Sequence, residues 1–336
     1  MIYNTDNENI SQVWKDVLYE LRSHVDADLL TTCYQTLTPR YVTKNKLCLA
    51  TDNGFHRDWV LEDSQRDPLE NAVKKELGEG ATISIVLTEQ LTLPTIMPRQ
   101  TIMPNSLARS ALFGVQGKNH PIEYFEQVEL ESWKGVTLRY TGPQLDQIDL
   151  DIWLQCLRMA GKNGLGKAIE FTAHEFIIAM GKPPGGSQYK LIERRLTRLR
   201  ATAIDVQIGQ NRYVGGLLDR FKYNEGKELY SIIIDPLIAM LFENNQYSRI
   251  DWEQRMKLRG RLAKFLHAYL PTHSTKKAPT FIKVENLKKL SKSNTKHLWK
   301  FRQTLRKAIA ELHEVGALDE SWFDDADKVY FVRSGA

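Results

Sequence analysis

The sequence predicts an α+β protein in four parts. These are a small α/β domain over residues 1–88, a Pro-punctuated linker over 89–121, and two tandem winged-helix domains over 122–245 and 246–336. Three observations predict it. Amphipathic helices alternate with β-branched segments in residues 10–88. Four prolines then break up the next stretch. Beyond them, the order helix, strand, helix, turn, helix and β-hairpin occurs twice, which is the winged-helix variant of the helix-turn-helix.

In the first domain Ile10, Val13, Trp14, Val17, Leu18 and Leu21 follow helical spacing, with Ser11 near the start. A second helix is expected over 26–37. Residues 40–43 and 46–51 read as two short strands around the turn-like pair Lys44-Asn45. A helix over 53–77, broken at Pro68, and a strand over 81–87 (Ala-Thr-Ile-Ser-Ile-Val-Leu) complete the unit.

Pro94, Pro98, Pro104 and Pro121 punctuate the next stretch, and Thr-Ile-Met-Pro occurs at 95–98 and again at 101–104. Proline fixes its own φ and pushes its predecessor out of the helical region, so a semi-extended linker is expected. Within it Ser110-Ala-Leu-Phe113 is an apolar tip. It is either a docking motif or a patch folded back on the next domain.

The first winged-helix copy is expected to hold a helix over 146–160, a strand over 168–171 and a helix to Met180 capped by Thr172. A basic helix over 187–199 follows, then strands over 203–209, 212–223 and 229–235. The second is expected to hold a helix over 251–270, a strand at 280–283 and a helix over 284–291. After these come a basic helix over 296–315 and strands over 318–323 and 328–333. Asn294 and Thr295 are natural cap residues for the last helix.

The basic helices carry the candidate chemistry. In the second copy Leu298, Phe301, Leu305, Ile309 and Leu312 form an apolar stripe, and Lys296, Lys300, Arg302, Gln303, Arg306 and Lys307 lie off it or beside it. In the first, Tyr189, Ile192, Leu196 and Leu199 pack, and Lys190, Arg194 and Arg198 run at i, i+4, i+8 with Arg195 nearby. Such side chains bind duplex phosphates or reach guanine N7 and O6 in the major groove. The alternative is a solvated face with weak surface ion pairs to residues such as Glu193.

Charge is polarised along the chain. Residues 1–88 hold 9 Lys/Arg against 14 Asp/Glu, a net of −5, and residues 252–313 hold 16 against 3, a net of +13. The acidic end and the basic end therefore suit different partners. Cys33, Cys48 and Cys156 are odd in number and widely spaced, which fits a reducing cytoplasm rather than a disulfide framework. No apolar run is long enough to span a bilayer and no secretory leader is expected.

No catalytic residue, metal site or cofactor is expected. The eight histidines form neither His-x-His nor His-Glu-x-x-His, and Gly-x-Ser-x-Gly is absent. Gly161-Lys-Asn-Gly-Leu-Gly-Lys-Ala168 comes near a phosphate loop. However, Ala168 replaces the hydroxyl that would bind magnesium, and the segment follows a helix, so a helix C-terminus is the better reading.

Two resemblances bear on these residues. Val13-Trp14-Lys-Asp-Val-Leu-Tyr-Glu-Leu21, then Leu47 to Thr51 and Asn53-Gly-Phe55-His-Arg-Asp58-Trp59-Val60, resemble domain I of the bacterial initiator DnaA. The resemblance implies a protein-interaction domain, with Trp14 at a self-association position and Phe55 at a helicase-contact position. Leu29 stands where some members of that family have an acidic residue. From about 105 to 333 the chain is similar to the TrfA family of plasmid replication initiators. This rests on Arg109-Ser-Ala-Leu-Phe113, Gly135-Val-x-Leu-Arg-Tyr-Thr-Gly142, Arg198-Leu-x-Ala-Thr-Ala203, Ile234-Asp-x-x-Ile238 and Glu311-Leu-x-x-x-Gly316. That similarity implies two winged helices on repeated sites in double-stranded origin DNA, opening of the origin and recruitment of the replicative helicase. Host DnaA, the sliding clamp and a second copy of the chain are further implied partners.

The expected function is a non-enzymatic plasmid replication initiator. A winged-helix transcriptional repressor, and an adaptor whose basic face docks acidic proteins, are the alternatives. Trp14 is read either as an exposed anchor or as a core residue of the stripe it belongs to.

Overall fold

The computed structural model describes residues 7–43, 45–51, 54–87, 92–117, 121–209, 211–273 and 279–334. Lys44 of the expected turn, Asn53 of the DnaA-like motif, and residues 89–91 and 118–120 of the expected linker lie outside that set. The chain divides into two units, Met1–Thr92 and Leu93–Ala336, and each mixes helices with sheet.

In the first unit the stripe Val13, Trp14, Val17, Leu21 of helix Asn7–Leu21 is buried with Leu47, Leu49, Val60, Leu69 and Val73. Strand Thr38–Thr43 pairs antiparallel with Lys46–Thr51, and that strand pairs parallel with Thr82–Leu87. A parallel neighbour requires a crossover, supplied by helices Gly54–Val60 and Asp63–Leu77. The helix break lies between these two and not at Pro68. Pro68 is the sixth residue of the second helix, which continues through it. The helix expected over 26–37 is shorter. Asp26 caps Ala27–Leu29, and a π-helical turn, Leu30–Tyr34, follows.

Much of the expected linker is instead framework of the second unit. Gln100–Pro104 pairs antiparallel with Tyr247–Asp251, and Phe113–Gly114 pairs parallel with Leu145–Asp146. Ile102, Met103, Leu107, Leu112 and Phe113 are buried. Phe113 stacks on Trp153 at 6.0 Å, and its carbonyl accepts from Gln147 Nε2 at 2.6 Å. Of the two expectations for Ser110 to Phe113, the fold-back holds. Pro104 ends a strand of a two-stranded sheet, a position that tolerates a missing N–H, so proline here marks a strand end.

The order helix–strand–helix–helix–hairpin then occurs twice. The first set is Gln147–Asn163, Ile169–Thr172, Ala173–Ala179, Gly186–Arg200 and the hairpin Arg220–Asn224/Leu229–Ile233, whose second strand pairs with Ile169–Thr172. Asp146 and Asp149 form a reciprocal cap at the first helix, and Thr172 with Glu175 forms another at the second. Ala203–Ile208 and Asn211–Gly215 do not join that hairpin. They extend a four-stranded antiparallel sheet with Val136–Pro143 and Tyr124–Leu130.

The second set is Arg261–Tyr269, Thr280–Lys283, Val284–Leu290, Leu298–Glu314 and the hairpin Leu318–Phe323/Lys328–Arg333. The helix expected over 251–270 is interrupted after Trp252–Lys257. At the interruption Glu311 Oε2 accepts from the N–H groups of Arg259 (3.0 Å) and Gly260 (2.8 Å). A Cβ at Gly260 would lie 2.6 Å from Glu311 Oε1, so glycine is what lets that carboxylate approach.

Candidate nucleic-acid interface

Helix Gly186–Arg200 buries Ile192, Leu196 and Leu199 and leaves Lys190, Arg194 and Arg200 exposed. Two of the four cations expected to meet DNA here are turned inward. Arg195 is buried, with Nη1 2.9 Å from Asp149 and 3.1 Å from Asp146. Arg198 donates to the Gln144 carbonyl and has Nε 3.6 Å from Asp149. Both are corrected from DNA contacts to interior residues. They neutralise the capped start of helix Gln147–Asn163, where buried carboxylates would otherwise be uncompensated.

The two carboxylates respond differently. Burial raises Asp146, but Arg195 and the N–H groups of Asp149 and Ile148 outweigh it and leave the group below its usual range. Asp149 is pushed up to about 6, first by burial and then by neighbouring Asp146. A second buried cluster ties the same helix to the following elements. Arg255 donates to Asp151 (2.8 Å), Gln147 (3.2 Å) and the Lys264 carbonyl (2.9 Å), and Lys264 also reaches Asp151.

Helix Leu298–Glu314 presents a cleaner cationic face. Phe301, Leu305, Ala308, Ile309 and Leu312 are buried, and Lys296, Lys300, Gln303, Arg306 and Lys307 are exposed. Among the described residues no carboxylate pairs with Lys190, Arg194, Lys296, Lys300 or Lys307. Arg306 rests over the Phe323 ring at 5.0 Å. Arg302 is the exception on this face. Its Nε and Nη2 each donate at 2.8 Å to Asp327 in the hairpin turn, so it fastens hairpin to helix and is corrected as a free DNA contact. The helix begins after His297, not at Asn294 or Thr295, and neither basic helix has a side-chain cap at its start. The first N–H groups of each helix therefore lack a side-chain acceptor, which favours an anion.

Sequence reasoning missed four residues of these surfaces. Arg220, Lys222 and Lys227 are exposed on the first hairpin, adding cations beside helix Gly186–Arg200. Strand periodicity gave no signal for them, because spacing alone runs 212–223 together as one strand. Trp299 is 57% exposed at the start of the second basic helix, and a single Trp beside an apolar stripe reads as core from spacing alone.

In the first unit Trp14 is 6% exposed and Phe55 is 81% exposed. Trp14 is a core residue, which corrects its reading as a surface anchor. Tyr19 and Leu61 are the other exposed large apolar residues described in that unit.

Gly164 ends helix Gln147–Asn163 with φ 92°, its N–H donating to Ala160 at 2.7 Å, and Gly166 (φ 74°) lies against Pro236. The glycine-rich segment is thus a helix stop. Among the described residues no group of His, Cys, Asp and Glu could hold a metal ion, and no helix is long and apolar enough to cross a membrane.

The chain is 31% identical over 247 residues to the plasmid replication initiator protein TrfA of Escherichia coli, an alignment covering 70% of this chain and 63% of that protein. It thus spans just under two thirds of that relative's length. It is 24% identical to the replication protein RepA of Salmonella typhi, covering 71% of this chain and 74% of that one. The fold matches a crystal structure of domains 2 and 3 of RctB with a TM-score of 0.50 at 11% identity, covering 70% of this chain and 99% of that one. The TrfA protein family itself matches over residues 81–333, most of the chain, including both basic helices and both hairpins; the chain belongs to the TrfA family.

Proposed function

We propose that this protein is a plasmid replication initiator. In this reading its two helix–strand–helix–helix–hairpin sets are winged-helix domains that bind repeated sites in double-stranded origin DNA, promote opening of the origin and gather host replication proteins. One observation carries the reading. The same set of elements occurs twice, and each places a basic helix with unpaired outer cations beside a hairpin. Two such faces on one chain suit two segments of one duplex site, where phosphate contacts fix register and base contacts specify sequence. Family membership and the replication roles of the relatives support it.

The acidic first unit is assigned to protein contacts, including the replicative helicase, through the surface around Phe55. A net of −5 over residues 1–88 is repelled by phosphate and leaves DNA binding to the second unit. Opening is driven by binding energy, since the glycine-rich segment is a helix stop and not a nucleotide cradle.

The test is replication of a minimal plasmid carrying the gene and its origin in a host without other copies. Loss of replication when the gene is deleted, restored by supplying the protein in trans, is expected. Continued replication without the gene would overturn initiation and favour a repressor acting through the same duplex contacts.

A further inference from the structure

Helix Leu298–Glu314 carries one large apolar side chain on its exposed face. Trp299 lies in the first turn, with Gln303 and Arg306 following at steps of four and three, so the three share one line on the helix surface. Lys296 and Lys300 flank it, and both are exposed. From 296 to 310 the chain holds five Lys/Arg and no Asp or Glu. Of the helix's two carboxylates, both in its last turn, Glu311 is bound to the backbone N–H groups of Arg259 and Gly260. The His297 ring stacks on the indole, centroids 6.2 Å apart and 18° from parallel.

We propose that Trp299 is a specificity residue that reads thymine, its indole making apolar contact with a C5-methyl group in the major groove. The inference rests on the duplex-binding reading above and goes beyond it by naming the base. The chemistry favours this occupant. An exposed aromatic surface in a stretch that holds five Lys/Arg and no Asp or Glu, with Asp327 beside it neutralised by Arg302, suits a polyanion that also offers an apolar group. The thymine methyl is the apolar feature of a base edge in the major groove, and the first turn of a recognition helix is the part that reaches base edges. Gln303, one turn on, has the amide group that pairs with adenine N6 and N7. An exposed Trp in isolation would need no explanation; its place in this turn, between two phosphate-length lysines, is what distinguishes it.

The experiment measures equilibrium binding of the full chain to one origin repeat in which each thymine is replaced in turn by deoxyuridine, which lacks only the methyl. Wild type should bind about three- to fivefold more weakly at one or two positions, the factor for burying one methyl-sized group. Trp299→Ala should bind thymine and uracil duplexes alike. Lys300→Ala should bind both more weakly and keep the difference between them. Equal binding of wild type to every substituted duplex, or a thymine preference that survives in Trp299→Ala, would overturn the contact while leaving the duplex reading intact. Failure of wild type to prefer the origin repeat over unrelated duplex would overturn that reading, and the contact with it.

Discussion

Arg195 Nη1 lies 2.9 Å from Asp149 Oδ1, both side chains buried, joining the middle of one basic helix to the capped start of the helix beneath it. This relationship divides the cations of helix Gly186–Arg200 by task. Those facing inward hold the helix at its angle, and those facing outward are free for an anion.

The division predicts different effects on mutation. Arg195→Ala should lower stability by about 3–5 kcal/mol, because it removes the nearest cation from two buried carboxylates and leaves them only the longer pairs to Arg198 and Arg261. Lys190→Ala and Arg194→Ala should change stability by no more than about 0.5 kcal/mol and should instead weaken duplex binding. Urea midpoints of the three variants decide it, and an Arg195→Ala protein as stable as wild type would contradict the assignment.

The reason sequence reading puts Arg195 and Arg198 on the surface is physical. Helical spacing shows which residues share a face, but their partners, Asp146 and Asp149, lie 46 to 49 positions earlier in the chain. The apolar stripes of the basic helices, the cap at Thr172 and the helix stop at Gly164 are readable because each is decided within a few residues. The strand Gln100–Pro104 is not, because its partner Tyr247–Asp251 is far along the chain and its flanking prolines resemble those of a linker. Trp14 satisfies both of its readings in sequence, and only packing decides between them.

On the second basic helix, salt separates phosphate contacts from hairpin attachment. Lys300→Ala and Lys307→Ala should each weaken binding on all sequences and reduce the salt slope by about 0.9 for each phosphate no longer neutralised. Arg302→Ala should leave the slope nearly unchanged, since Nε and Nη2 of its guanidinium are already engaged by Asp327. Titrations across salt concentrations check both, and a flattened slope for Arg302→Ala would return that residue to the interface.

Stability should depend on pH through His267. Burial, and then Arg255, Lys264 and Arg333, push it from 6.5 down to about 3. The unfolded chain therefore binds more protons than the folded one between those values. The contribution of a neutral His267 is complete above pH 6.5 and is lost as pH falls toward 3, at no more than about 1.4 kcal/mol per pH unit. Asp149, raised to about 6, opposes this below pH 6, so the comparison is wild type against His267→Gln. Their stability difference should shift toward the variant as pH drops from 6.5 to 4.5, and a difference independent of pH would contradict a buried neutral imidazole.

Deleting residues 1–92, the first unit, should leave origin binding within a small factor and abolish or restrict plasmid replication in cells. Phe55→Ala in the full chain should reproduce the replication defect without altering binding. A truncated protein that fails to bind the origin in vitro would make the first unit part of the DNA-reading surface.

The most direct measurement is hydroxyl-radical footprinting on one origin repeat. It compares wild type with the double variants Lys190→Ala/Arg194→Ala and Lys300→Ala/Arg306→Ala. Two basic helices reading two segments of one site predict that wild type protects both segments. Each double variant should lose protection over its own segment and keep the other when protein concentration is raised. Footprints of both variants that match wild type, or that vanish together over the whole repeat at every concentration, would contradict the account.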